Sequence, residues 1–230
     1  MTDISHRKAA LVAGFGYLVV FILTPYTWVE SLIVFGDAAT TASNIMASEF
    51  LFRMSIACWL IVLASDAVVA WALYYFFKPV NSSLALVSAW FRLLFVAIFG
   101  INMLNWVNAL QLIVGAGDFA AIETDQLQAQ AMLFFGAYEY GANIAFVFFS
   151  VHIAILGYLV LKAGFMPRIF GILLIVASVG YFTDSFASLL SPAYAKNEVA
   201  FWLIVAVPAI LAELSLTLWL LFKGGKVQRT

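Results

Sequence analysis

The chain has 230 residues, of which 65% are apolar, 17% aromatic and only 10% charged, with a formal net charge of −1. That composition excludes an ordinary soluble domain, and the single cysteine, Cys58, excludes an internal disulfide, a thiolate zinc site and an iron–sulfur cluster. The near-zero net charge says nothing about partners by itself, because the charges are separated along the chain; no nucleic-acid partner is expected.

In chain order, apolar stretches fall at about 9–29, 49–77, 84–114, 131–161, 169–190 and 199–222. Each is long enough to cross a roughly 30 Å hydrocarbon core as a helix and two to three times longer than a barrel strand. An open strand or loop in lipid would leave backbone donors and acceptors without partners. The expected fold is therefore all-α: one transmembrane domain over residues 1–230, built as a polytopic bundle of six transmembrane helices. The first stretch has a basic start, and with Ala38 and Ala39 beyond it a cleaved signal is a second reading. It runs on through Thr24-Pro25 to Phe35, longer than a signal core of roughly 7–15 residues, which favours a retained helix kinked at Pro25.

The connectors sort by charge. The two termini and the links after the second and fourth spans carry Arg7, Lys8, Lys78, Lys162, Arg168, Lys223, Lys226 and Arg229 against one acid, Asp3. The other links carry Glu30, Asp37, Glu49, Asp118, Glu123, Asp125 and Glu198 against Lys196. This asymmetry puts both termini in the cytoplasm. Short inner links such as Lys78-Pro79-Val80-Asn81 require antiparallel neighbours, whereas the polar outer segments 36–48 and 115–130 are long enough to cover a cavity mouth. A loose similarity between the two inner hairpins, about 88 residues apart, leaves an internal duplication open.

Six charged side chains fall inside the spans: Arg53, Asp66, Arg92, Glu139, Asp184 and Glu213. Each costs about 2.5–3.5 kcal/mol at a helix centre, so they are expected to face the bundle interior. Counting about 1.5 Å per residue sorts the polar groups into two layers. The outer layer holds Arg53, Asn102, Asn105, Glu139, Asn143 and Asp184, and two readings of it stand: a hydrated ligand pocket, or an ion pair of Arg53 with Glu139 or Asp184. Asn108, in one stripe with Asn102 and Asn105, adds to the pocket reading. The inner layer holds Asp66, Arg92, His152 and Glu213 and reads as structural, with Arg92 snorkelling partway and neutralising Asp66 or Glu213. Glu139 and Asn143 share a helical face, while His152 is rotated by about 220° from Glu139 and cannot meet it.

One histidine within a span excludes bis-histidine haem and multi-histidine zinc or iron sites, leaving only a His152, Asp66 and Glu213 metal site as a minor option; no cofactor is expected. No Gly-rich phosphate loop precedes Lys-Ser or Lys-Thr, so ATP-driven work by this chain alone is not expected. Tyr26, Trp28, Tyr74 and Tyr75 read as interfacial anchors, and Trp59, Trp71 and Trp90 as bundle filling. Pro208 in the last span frees a carbonyl one turn back, where a kink could shape a cavity.

The landmarks Arg53 with Asp66, Lys78-Pro79-Val80-Asn81, Phe91-Arg92-Leu93, Gly157-Tyr158-Leu159, Pro167-Arg168-Ile169-Phe170-Gly171, Tyr181 with Asp184, and Glu213 before Leu218-Trp219-Leu220-Leu221 and Gly224 form a set. Together they resemble the prokaryotic integral-membrane family known as domain of unknown function 4386, over most of the chain. The resemblance implies six helices in a prokaryotic plasma membrane and transfers no catalytic residue.

Three functions stay open on these residues. The first is small-ligand binding or ion-coupled transport through a polar intramembrane cavity, with membrane lipid around it and a small polar or amphipathic ligand within. The second is an accessory subunit of a membrane complex or a homo-oligomer. The third is an intramembrane lipid-modifying enzyme, which needs His152 within reach of Asp66 or Glu213 and open to lipid. The first is the leading expectation.

Overall fold

The computed structural model describes residues 4–115, 121–191 and 194–225, with residues 195–198, 200 and 202 described by backbone alone. Asp3, Asp118, Lys226 and Arg229, which entered the charge count, lie outside the described residues, as do the side chains of Lys196 and Glu198. Among the described residues seven α-helices follow one another: α1 (His6–Leu23), α2 (Ala38–Ala47), α3 (Glu49–Phe77), α4 (Ser82–Val114), α5 (Thr124–Ala163), α6 (Arg168–Leu190) and α7 (Tyr194–Phe222). All but α2 contain a segment long and apolar enough to cross a membrane, and the first such segment continues past α1 to Leu32. Among the described residues there is no strand. In lipid this follows from backbone accounting, since a helix satisfies its own N–H and C=O groups.

The long helices close a ring. Each packs on its neighbour in sequence, α1 on α3, α3 on α4 and so on to α7, and α7 returns to α1. Close approach is made possible by small residues: an added Cβ at Gly157 of α5 would sit 2.9 Å from the Gly171 carbonyl oxygen, and one at Gly171 of α6 would sit 2.7 Å from that of Gly157. The outside of the ring shows large apolar side chains such as Phe50, Leu133, Leu190 and Phe222, the surface a hydrocarbon solvent requires. The ends of the ring meet through Arg7, whose guanidinium donates to the carbonyls of Leu220 (3.2 Å), Leu221 (2.7 Å) and Gly224 (2.6 Å). These are the orphan acceptors at the C-terminus of α7, where a cation also complements the helix dipole. The start of α1 and the end of α7 therefore lie on one face of the bundle, called here the terminal face.

Links on the terminal face are short. Asn81 caps α4 by accepting from the Leu84 amide at 2.9 Å, and α5 ends at Gly164, whose φ of +69° turns the chain toward Pro167 and α6. On the opposite face, parts of the polar segments 36–48 and 115–130 are helical. Asp37 caps α2, accepting from the Thr40 amide at 2.9 Å and the Thr40 hydroxyl at 2.7 Å, and these bonds hold its carboxyl below the usual carboxylate range. α2 then packs on α3, α4 and α5. α5 begins at Thr124 rather than near residue 131, because the polar run 124–130 contains good helix formers and no glycine or proline to stop it. The first span breaks at Leu23, where Thr24-Pro25 opens a short 3-10 turn over Thr24–Thr27.

Candidate functional site

The polar centre starts from Arg92 on α4, 1% exposed and about 15 Å along its helix from the terminal-face end. Asp66 on α3 lies at a matching depth, about 17 Å from the end of its helix, and forms an ion pair with the Arg92 Nη2. Arg92 Nη1 donates to the Tyr17 hydroxyl of α1 at 2.8 Å and meets His152 Nε2 of α5 at 3.1 Å. A guanidinium cannot accept, so His152 Nε2 is the acceptor and the ring proton sits on Nδ1. That nitrogen lies 2.9 Å from both the Ser88 carbonyl oxygen and the Ser88 hydroxyl. The guanidinium carbon also stands 4.8 Å from the Tyr17 ring centroid and 5.5 Å from that of Phe149, within cation–π range.

Above this cluster lies a chamber of about 330 Å³. All six long helical segments line it. Val20, Phe21, Thr24, Pro25 and Trp28 come from the first, Trp59, Val62 and Asp66 from α3, and Arg92 and Phe95 from α4. Phe146 and Phe149 come from α5, Tyr181 from α6, and Ala209, Ile210 and Glu213 from α7. The α7 contribution follows Pro208, which has no N–H to give the Ile204 carbonyl; Gly180 of α6 packs against that carbonyl, where a Cβ would stand 3.0 Å away. Glu213 Oε1 is buried with no hydrogen-bond partner. Among the described residues the ion pairs are Arg92 with Asp66 and Arg53 with Glu49, so Glu213 has no cation within bridging distance.

A second cavity of about 650 Å³ lies toward the face away from the termini, lined by Glu30, Tyr138, Glu139, Asn143, Asp184, Ser188 and Tyr194 among others. It shares Trp28, Trp59 and Phe146 with the chamber, which places these three aromatics between the two spaces, a position called here the neck. Among the described residues three carboxylates line this vestibule, from Glu30, Glu139 and Asp184, and no Lys or Arg does. Asp184 accepts from the Tyr194 hydroxyl at 2.8 Å, and Asn143 donates to Ser188 Oγ at 3.0 Å and to the Glu139 carbonyl at 2.9 Å.

The two-layer expectation needs correction in four places. Arg53 pairs neither with Glu139 nor with Asp184; it bonds Glu49 one turn away on an exposed face of α3 and lines neither cavity, because its position on the helix turns it out of the ring. Asn102 and Asn105 do not line the vestibule either: Asn105 donates to Asn102 Oδ1, and Asn102 donates to the Tyr138 carbonyl at 2.9 Å, filling the space that Gly141 leaves. Arg92 does not snorkel; Asp66, Tyr17 and His152 hold it at depth. In the inner layer Arg92 pairs with Asp66 as expected, but these two and Glu213, though not His152, also form the polar floor of the chamber.

His152 is 1% exposed and engaged on both ring nitrogens, so it opens onto no lipid groove, and the acid–base enzyme reading loses its geometry. The same engagement removes the His152, Asp66 and Glu213 metal site, since a ligand nitrogen facing a guanidinium has no lone pair to spare. Among the described residues no group of three His, Cys, Asp or Glu side chains is placed to hold a metal ion.

A family model described as "Domain of unknown function (DUF4386)" matches residues 12–224. The chain belongs to this family. A protein of Archaeoglobus fulgidus, carrying the description "Uncharacterized protein", is 26% identical over 189 residues, covering 80% of this chain and 95% of the archaeal one. No solved structure matches. The match to the DUF4386 family spans α3 through α7 and most of α1, and so takes in every residue of the chamber.

Several residues of this DUF4386 chain that shape the cavities carried no functional expectation. Tyr17 was passed over although it stands in mid-span, away from the interface where tyrosines anchor. Trp28 and Trp59 read as anchor and filling, yet both line the neck, and Trp59 Nε1 is buried without a partner. Glu30 counted as a loop acid and lines the vestibule. The available signal was depth along the helix for Tyr17 and Trp59; nothing in the spacing points to Glu30.

Proposed function

We propose that this DUF4386 protein binds a small ligand in the central chamber, which the ligand reaches through the acidic vestibule. The protein sits in a prokaryotic plasma membrane with both termini cytoplasmic, as the Lys and Arg asymmetry of the links favours. The observation that carries the reading is the chamber itself: six helices converge on about 330 Å³ that holds an ion pair, a further carboxyl and aromatic walls. Apolar cavities with a few convergent polar groups, of roughly 300–1,000 Å³, are the usual form of small-molecule sites. Intramembrane ionisable groups are costly, and structural pairing accounts for Asp66 and Arg92 but not for Glu213. Passage of the ligand to the cytoplasm would need a second opening past Arg92, and transport is the extension of this reading.

The test uses cysteine access. In a Cys58→Ser background, Ala142→Cys samples the vestibule and Ala209→Cys the chamber. A small water-soluble methanethiosulfonate applied to intact cells is expected to modify both. Modification at position 142 with position 209 inert would refute a chamber reached through the neck. Modification of either only in opened cells would refute the orientation.

A further inference from the structure

We infer that the ligand is a compact organic cation, an amine or quaternary ammonium with apolar substituents, and that Glu213 is its charge partner. The inference rests on the chamber reading above and adds the chemical class. Charge bookkeeping leads there first. Arg92 and Asp66 neutralise each other, and two further Arg92 N–H groups are spent on Tyr17 and His152. Arg92 Nε is also buried without a partner, but its charge is already met by Asp66, so the charged group that remains is Glu213, with Oε1 buried and without a hydrogen-bond donor. A buried carboxylate left without a counter-charge costs several kcal/mol, and a ligand that brings a positive charge removes that cost while an anionic one adds to it.

The walls select in the same direction. Trp28, Trp59, Phe95, Phe146, Phe149 and Tyr181 surround the chamber, and aromatic faces attract ammonium groups more strongly once water is excluded. Of these walls, Phe149 already has a cation within range, the Arg92 guanidinium carbon 5.5 Å from its ring centroid. The route agrees as well, since the three acids Glu30, Glu139 and Asp184 line the vestibule and give it a potential that favours cations. A volume of about 330 Å³ lies at the lower end for small-molecule sites, which makes the ligand compact. Apart from Thr24, the Arg92–Asp66 pair, Glu213 and Tyr181, the side chains lining the chamber are Pro25, aliphatic residues, Phe and Trp, so the ligand's substituents are apolar rather than sugar-like.

The experiment follows protection of the thiol introduced by Ala209→Cys, in the Cys58→Ser background and in lipid nanodiscs, against the neutral reagent methyl methanethiosulfonate. Three probes of similar size are compared: benzyltrimethylammonium, its uncharged isostere neopentylbenzene, and benzenesulfonate. The expected result is protection by the cation alone, weakened about tenfold or more by Glu213→Gln and retained in Glu213→Asp. Modification at position 209 with equal protection by the isostere, protection by the sulfonate, or no protection by any probe overturns the cation assignment and leaves the chamber standing. Failure of the reagent to reach position 209 overturns both. The probe series on the Glu213 chain decides the question even where the Gln variant does not fold.

Discussion

Replacing Arg92 by methionine tests the polar centre directly. The side chain is 1% exposed, and its removal leaves the Asp66 carboxylate buried without its cation and takes a donor from Tyr17 and from His152. Stranding one partner of a buried ion pair costs about 3–5 kcal/mol. For a chain of this length each kcal/mol lowers the midpoint of thermal unfolding by about 2–4 °C, so a fall of about 6–20 °C is expected. Arg92→Met with Asp66→Asn removes both charges together. What remains is the loss of two neutral partners, about 1 kcal/mol each, so the double variant is expected to be more stable than Arg92→Met alone. Thermal unfolding in one detergent, followed by far-ultraviolet circular dichroism, reads the wild type, the single variants Arg92→Met and Asp66→Asn, and the double variant. A shift below about 2 °C for Arg92→Met, or a double variant whose loss equals the sum of the two single losses, would refute the ion pair as the centre of the bundle.

Four further outcomes follow from the same contacts. Gly157→Leu is expected to force α5 and α6 apart at the Gly171 carbonyl, lowering stability by about 1–3 kcal/mol or more, which the same melt would show. Arg7→Gln removes the clasp on the α7 carbonyls and is expected to cost about 2 kcal/mol, with faster hydrogen exchange at the last turn of α7 as its local sign. Arg53→Ala, on an exposed i,i+4 pair, is expected to change stability by less than about 0.5 kcal/mol and to leave cation protection at position 209 untouched; an effect on protection would return Arg53 to the site. The Asp37 carboxyl is held below its usual range in the folded chain, so its contribution to the α2 cap is present above the ordinary Asp value and fades as pH falls through the lowered one. Hydrogen exchange at the Thr40 amide, corrected for intrinsic rates, should therefore gain protection on raising the pH through the acidic range, and Asp37→Ala should abolish that dependence.

Much of the architecture was legible in the primary structure because lipid imposes it. Six apolar stretches of spanning length leave no alternative to helices, and the helices fall where those stretches do, apart from α2 and the first turns of α5. Those exceptions lie in the polar segments, where an N-cap such as Asp37 and local propensity decide and no hydropathy signal exists. The cost of burying charge likewise pointed to Arg53, Asp66, Arg92, Glu139, Asp184 and Glu213 as inward-facing groups; five of them line a cavity and Arg53 faces outward.

Which helices are neighbours, and how each is turned about its axis, is a different kind of information. A rotation of one helix by less than half a turn separates Arg53 on the outside of α3 from Asp66 at the chamber, though both are charged residues of one span. Side-chain packing around the closed ring sets those rotations. Only the tertiary structure could therefore bring Tyr17, Arg92 and His152 together, leave Glu213 Oε1 without a donor, and make Trp28, Trp59 and Phe146 the neck of a cavity. Sequence determined what had to be buried and at what depth, because transfer from water to hydrocarbon depends on residue type alone; the partners were decided by the geometry of six helices packed against one another.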